Sequence, residues 1–391
     1  MRIDRIEDLH CDAGWRNFSF LKITTDDGLV GWSEYTEADG SPGLTGVIRA
    51  LGQLLIGRDP RPVQQISSEL YQRSVMAASG VNHRAIAAIE NALLDIKARA
   101  LGVPVYALLG GPVRDRIPVY WSHCGTYRAR HPQIVGAKQL ENYDDVAKLG
   151  EEVRARGFRA LKTNILPPKD GKLSSFTPGF GRSPGYPALN LDRHVLQATQ
   201  RQLQAFRDGA GPDMGLLLDV NFHFKTEGFI QIARAMAPFD MTWLEIDTLD
   251  PRALALIRAA SPCPIASCET LTGRRAFRPF LDAYAMDVGI IDVVWNGFLE
   301  SVKIAAMAEA YEVNVAPHNY YGHLCSAMSA HFCAAVPNLR IMEIDVDSAA
   351  WRDDLFTNVP EIRDGEMLVP SGPGWGVAVN EEAVRAHPPR R

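Results

Sequence analysis

The sequence predicts an α/β protein, a closed parallel (β/α) barrel of the TIM type preceded by an α+β module. Two observations carry this. Beyond about residue 118, eight short apolar strands alternate with amphipathic helices. From Asp219 onward these units place an ionisable residue at the strand end at intervals of 26, 24, 23, 26 and 25 residues. The first hundred residues lack that rhythm.

Taken in order, "FSFLKITTDDGLVGWSEY" holds two strand-like runs joined by Asp26-Asp27-Gly28, a hairpin signal. "HRAIAAIENALLDIKARALG" carries Ile86, Ile89, Leu93 and Ile96 at helical spacing, and Gly102 with Pro104 stops it. These define a module over residues 1–115. The barrel is expected over 116–365, its strands being PVYWSH, RALKTN, LLLDVN, TWLEI, PIASCE, GIIDV, VNVAPH and IMEID, with 366–391 as a closing segment. Asp250 reads as a helix cap with Pro251 at the first helical position. Residues 167–187, "PPKDGKLSSFTPGFGRSPGYP", show no periodicity and read as a loop, of a length that in compact domains is often functional.

Composition narrows the classes. At 46% hydrophobic and 22% charged, the 391 residues are those of a globular chain. A net charge of -5 with scattered Lys and Arg offers no field for nucleic acid. No apolar run reaches the ~20 residues a membrane helix needs. The start, MRIDRIEDLH, lacks a signal-peptide pattern, so a cytoplasmic protein is expected. Cys11, Cys124, Cys263, Cys268, Cys325 and Cys333 are irregularly spaced without CxxC and read as buried reduced thiols.

The strand ends carry the chemistry. Lys162, Asp219, Glu245, Glu269, Asp292, His318 and Glu343 close successive strands, which puts them on one rim, where barrel enzymes hold their active sites. A lone acid after a strand is often a helix cap, but Asp247 and Asp250 are better placed for that than Glu245, and Thr270 than Glu269. Three converging carboxylates, Asp219, Glu245 and Glu269, repel one another unless a divalent ion lies among them. An all-oxygen set points to Mg²⁺ before Mn²⁺, with coordination left open. His318 and Asp292, on neighbouring strands, read as a base and the carboxylate that orients it.

Together with the rim carboxylates, "FLKITTDDGLVGWSEY", "AIENALLDIKARALGVPVYALLGGPVRDRIPVY" and "AAMAEAYEVNVAPHN" resemble the mandelate racemase subgroup of the enolase superfamily over nearly the whole chain. The resemblance implies a capping domain, completed by the C-terminal tail, over a modified (β/α) barrel with Mg²⁺ at its mouth. It implies Asp219, Glu245 and Glu269 as metal ligands and Lys162 as the first lysine of a KxK motif, contacting the substrate carboxylate. Asp292 and His318 correspond to the dyad, and Glu343 to the eighth-strand acid. Trp15, Arg16 and Asn17 of the cap would face the substrate. Where the family has its second lysine stands Asn164, which cannot take a proton and is left as a substrate contact. Asn221 and His223 are further candidate contacts.

The shared chemistry is abstraction of the proton α to a carboxylate, with Mg²⁺ and Lys162 stabilising the enediolate. With no base at position 164, expulsion of a β-hydroxyl is favoured over reprotonation. The expected activity is a Mg²⁺-dependent dehydratase of an aldonate or aldarate, giving a 2-keto-3-deoxy acid. The alternatives are an epimerase or lactone cycloisomerase using His223 or His323 as a second relay, and a binding barrel without turnover. A small carboxylate substrate and self-association into a homo-oligomer are expected.

Overall fold

Strands β1 (Ile3–Asp12), β2 (Asn17–Thr25) and β3 (Val30–Tyr35) form an antiparallel sheet in the computed structural model, which describes residues 1–37, 40–177 and 190–390. The Asp-Asp-Gly turn joins β2 to β3 with Gly28 at φ 87°, as the hairpin signal predicts. Helices α1 (Leu44–Gln53), α2 (Val63–Arg73) and α3 (Val81–Leu101) follow. Helix α3 lies so close to β3 that a Cβ at Gly31 would stand 2.3 Å from the Ala92 carbonyl oxygen. Gly102 ends this helix at φ 68°.

All eight predicted barrel strands are present: β4 (Arg116–Ser122), β5 (Ala160–Asn164), β6 (Gly215–Asp219), β7 (Met241–Glu245), β8 (Ile265–Ser267), β9 (Val288–Asp292), β10 (Asn314–His318) and β11 (Met342–Asp345). They pair in parallel in sequence order from β4 to β10, and β11 pairs in parallel with β4. A bridge from Val315 to Leu339, just ahead of β11, closes the ring. The hairpin β12 (Ile362–Arg363) and β13 (Glu366–Leu368) then lays β13 antiparallel on the start of β4, Met367 opposite Ile117. Residues 167–177 are not wholly irregular, since Pro168–Lys169 pairs with Lys172–Leu173. Residues 178–187 of that predicted loop lie outside the described residues.

The barrel interior is a small apolar cluster of Tyr120, Ala160, Leu217, Trp243, Ala266, Val288, Ile290 and Ala316. On five strands the residue two positions further on is Lys162, Asp219, Glu245, Asp292 or His318, and alternation puts it on the same inner face, one layer nearer the mouth. Strand geometry thus converts the apolar filling into the floor of a polar site.

The seam between cap and barrel is polar and buried. Asp95 accepts N–H bonds from Trp32 and Trp375, both at 2.9 Å, and Asn91 accepts from Phe298 N at 2.9 Å. Glu90 accepts from Leu299 N at 2.9 Å. Glu34 of β3 caps helix α4 (His323–Ala335), accepting from Gly322 N at 2.7 Å and Cys325 N at 2.9 Å. The tail returns to the cap: Trp375 Nε1 donates to Trp32 O at 3.1 Å, and Asp12 N to His387 O at 2.9 Å. All six cysteines are free and buried. Among the described residues no helix is long and apolar enough to cross a membrane.

Candidate active site

Tyr120 and Trp243 meet edge to face, centroids 5.6 Å apart, beneath the mouth. The Trp243 indole N–H donates to Glu245 Oε2 at 3.1 Å, and Lys162 Nζ lies 5.5 Å above the Tyr120 ring. Lys162 is buried and bridges two acids, 3.1 Å from both Glu245 oxygens and 2.9 Å from Glu343 Oε1. Burial opposes its charge, but Glu245 and Glu343 outweigh that and hold its pKa well above the ordinary value. Burial alone would raise the Glu343 carboxyl; Lys162, His318 and His123 overcome it and hold it low.

Strands β9 and β10 pair Asp292 directly with His318. His318 Nδ1 lies 2.7 Å from Asp292 Oδ2, which also accepts the Tyr321 hydroxyl at 2.9 Å. The other carboxylate oxygen accepts Trp295 N at 2.7 Å, so Asp292 is fixed from three sides. Burial works against charging the imidazole, and the Asp292 bond with the Glu343 and Asp292 charges prevails, raising its pKa. With Nδ1–H turned to the carboxylate, Nε2 is the atom free to act as base; it stands 3.7 Å from Glu269 Oε2. Trp295 and Tyr320 flank the ring at 5.2 and 4.8 Å between centroids.

Asp219 and Glu245 stand opposite each other in the β6–β7 ladder, and Glu269 follows β8 by two residues. Burial raises the Glu269 pKa well above its ordinary value, and Asp247, Glu245 and Asp219 add to the rise. For Glu245, burial prevails over Lys162, its nearest cation. Among the described residues no three His, Cys, Asp or Glu side chains are closed into a metal-holding cluster. The donor chemistry nevertheless fits a hard dication. Among the described residues, Asp219, Glu245, Asp247 and Glu269 face one ammonium, Lys162, already shared with Glu343, and the buried Asp247 Oδ1 has no hydrogen-bond partner.

The other predicted contacts are distributed differently. Asn164 is engaged at both ends of its amide, donating to Asp219 Oδ2 at 3.2 Å and accepting from Thr126 Oγ1 at 2.9 Å. Asn221, at φ 47°, donates its backbone N–H to Asp219 Oδ1 at 2.9 Å and its side-chain amide to the same oxygen. His223 is buried edge-on to Phe176, 5.2 Å between centroids. Trp15 stacks on His131 at 5.2 Å, and Arg16 donates to Asp345 Oδ2 at 2.8 Å beneath the Tyr320 ring. Asn17 is tied to the tail through Arg390. His323 is held by Asp353 at 2.7 Å and packs on Phe356.

Two expectations about capping are corrected. Asp250 caps its helix, accepting Arg252 N at 2.9 Å, but Asp247 does not; it is 5% exposed and turned into the site. Thr270 caps nothing, since the helix Arg274–Asp282 begins at Gly273. The eighth strand also runs past Glu343 to Asp345. His123 was missed, though PVYWSH ends on it: its Nδ1 is 2.9 Å from Ser122 Oγ and 3.1 Å from Asp345 Oδ1. Ser122 in turn donates to Glu343. A continuous polar chain thus runs from Lys162 through Glu343, Ser122, His123 and Asp345 to Arg16 of the cap.

Residues 13–110 match the model of the mandelate racemase / muconate lactonizing enzyme N-terminal domain, and 145–383 that of the enolase C-terminal domain-like family. A D-gluconate dehydratase of Thermoproteus tenax is 30% identical over 96% of this chain and 72% of that protein. A D-galactarolactone cycloisomerase of Agrobacterium fabrum (strain C58) is 29% identical, over 93% and 89% respectively. A crystal structure from Burkholderia xenovorans strain LB400, provisionally named an L-alanine-DL-glutamate epimerase and bound to magnesium and fumarate, superposes with a TM-score of 0.97 at 53% identity, covering 100% of this chain and 96% of that one. With its two-domain architecture and both halves matched, this chain belongs to the enolase superfamily, in the mandelate racemase and muconate lactonizing enzyme group.

Proposed function

We propose that the protein is a Mg²⁺-dependent dehydratase of a polyhydroxylated carboxylic acid, an aldonate or aldarate. Asp219, Glu245 and Glu269 would hold the ion, which when bound supplies positive charge against the substrate carboxylate. His318 Nε2 takes the α-proton, its imidazolium held by Asp292. Lys162, kept charged between Glu245 and Glu343, adds a second cation where the enediolate forms. The imidazolium then returns its proton to the β-hydroxyl, which leaves as water, and the enol product tautomerises to the 2-keto-3-deoxy acid.

One observation carries the choice of elimination. The second and sixth strands lie across the barrel from each other; the sixth and seventh bear the assembled dyad, while the second bears Asn164, whose amide is already bonded on both sides. This supports a reading in which proton transfer is one-sided. The dehydratase name of the Thermoproteus relative supports this reading. A second reading, epimerisation, takes its support from the name given to the Burkholderia protein, and needs a proton donor on the face that Asn164 occupies. Incubating a library of aldonic and aldaric acids with the protein and Mg²⁺, and assaying for 2-keto acid, tests the proposal. Absence of keto acid, with an α-epimer appearing instead, would establish the second reading.

A further inference from the structure

Beyond β7 the ladder does not stop. Ile246 N donates to Ala266 O at 3.0 Å and Asp247 N to Asn221 O at 2.9 Å, so residues 245 and 247 share one face of a continuing strand. Ile246 turns outward into the core, and Asp247 turns inward beside Glu245. No ion pair to Asp247 exists among the described residues. The charged groups that act on it are Glu245, Asp219, His318 and Glu269.

Acids gathered on one face with no cation between them repel one another. Among the described residues Asp247 Oδ1 is buried without a hydrogen-bond partner, at a cost of roughly a lost hydrogen bond. A cation placed among the acids relieves both. The capping role that would otherwise explain an acid here belongs to Asp250.

We infer that Asp247 is a fourth acidic group of the cation site, binding the ion directly or through its water, beside Asp219, Glu245 and Glu269. The inference rests on the proposed Mg²⁺ dependence and extends it to a residue outside the three-acid set. It makes the site more anionic, and so more selective for a divalent ion over a monovalent one.

The test is titration of the full-length, chelator-treated protein with Mn²⁺, followed by calorimetry and by the electron-spin signal of free Mn²⁺, with no substrate present. Wild type should bind. Asp247→Asn should bind at least ~10-fold more weakly, while its metal-free melting temperature stays level or rises, because an acid crowded by other acids has gone. Affinity indistinguishable from wild type would overturn the inference. If Asp247→Asn does not fold, Asp247→Ser is read by the same criterion. Failure of the wild type itself to bind Mn²⁺ would instead overturn the proposed function, and this inference with it.

Discussion

Asn164 Nδ2 lies 3.2 Å from Asp219 Oδ2, across a register that pairs the two residues directly. Asn221 holds the other oxygen of the same carboxylate through its backbone and side-chain N–H groups. Asp219 is thus aimed by neutral donors. Position 164 serves the acid beside it and contributes no base.

The proposed one-sided proton transfer makes a stereochemical prediction. Substrate recovered after partial turnover in D₂O should carry deuterium at the α-carbon with its configuration retained, alongside 2-keto-3-deoxy product. Proton NMR of the mixture decides it, and accumulation of the α-epimer would show a second proton donor.

His318→Asn should abolish α-proton exchange, a loss on the order of 10²–10⁴-fold for a general base. Asp292→Asn should slow exchange less completely, since the imidazole remains but its Nδ1 partner is neutral. Exchange followed by NMR separates this step from dehydration. Equal rates in wild type and His318→Asn would move the base elsewhere.

Glu245→Gln removes a charge without changing volume, so the fold should survive while metal-dependent turnover is lost. Among the described residues Lys162 would then keep only Glu343 as an ion-pair partner. Circular dichroism should match wild type, and dehydration should stay at background at any Mg²⁺ concentration. Normal Mg²⁺-dependent rates would remove Glu245 from the ligand set.

The seam predicts an unusual pH profile of stability. Burial pushes Glu34 and Glu90 up to about 7 and Asp95 up to about 6. Between their ordinary values and these, the folded chain holds protons that the unfolded chain has released, so stability is greatest at the acidic side of that window and falls as pH rises through it. Each such proton changes the slope by about 1.4 kcal/mol per pH unit. In chelator, urea midpoints should drop from pH 5 to pH 7.5; Glu34→Gln should flatten the slope. A midpoint that rises over the same range would mean these acids are ionised in the native state.

What the sequence made legible was the part governed by local alternation. Ala160 and Lys162, Leu217 and Asp219, Ala316 and His318 follow the two-residue period of a strand, and that period alone places the polar member at the mouth. Asp247 escaped because two acids precede one helix, and only the geometry shows that the one before proline does the capping. Strand β1 escaped because most of its side chains are at least partly exposed, leaving no apolar rhythm to read. Glu34, Glu90 and Asp95 escaped for another reason: the backbone N–H groups that each of them accepts lie more than 60 residues away, and any residue type supplies such a donor.

Trp375 closes the cap with an indole bond to Trp32 and a backbone bond to Asp95, so a domain begun in the first residues is finished by nearly the last. On the ribosome the first three strands and α3 emerge long before the segment that completes them. Until it arrives, Asp95 is a buried acid lacking one of its donors, and the cap is a surface for chaperones and proteases rather than a settled domain. A frameshift or stop codon just ahead of Trp375 would spare every rim residue from Lys162 to Glu343, yet leave the cap without its closing bonds and open to turnover in the cell.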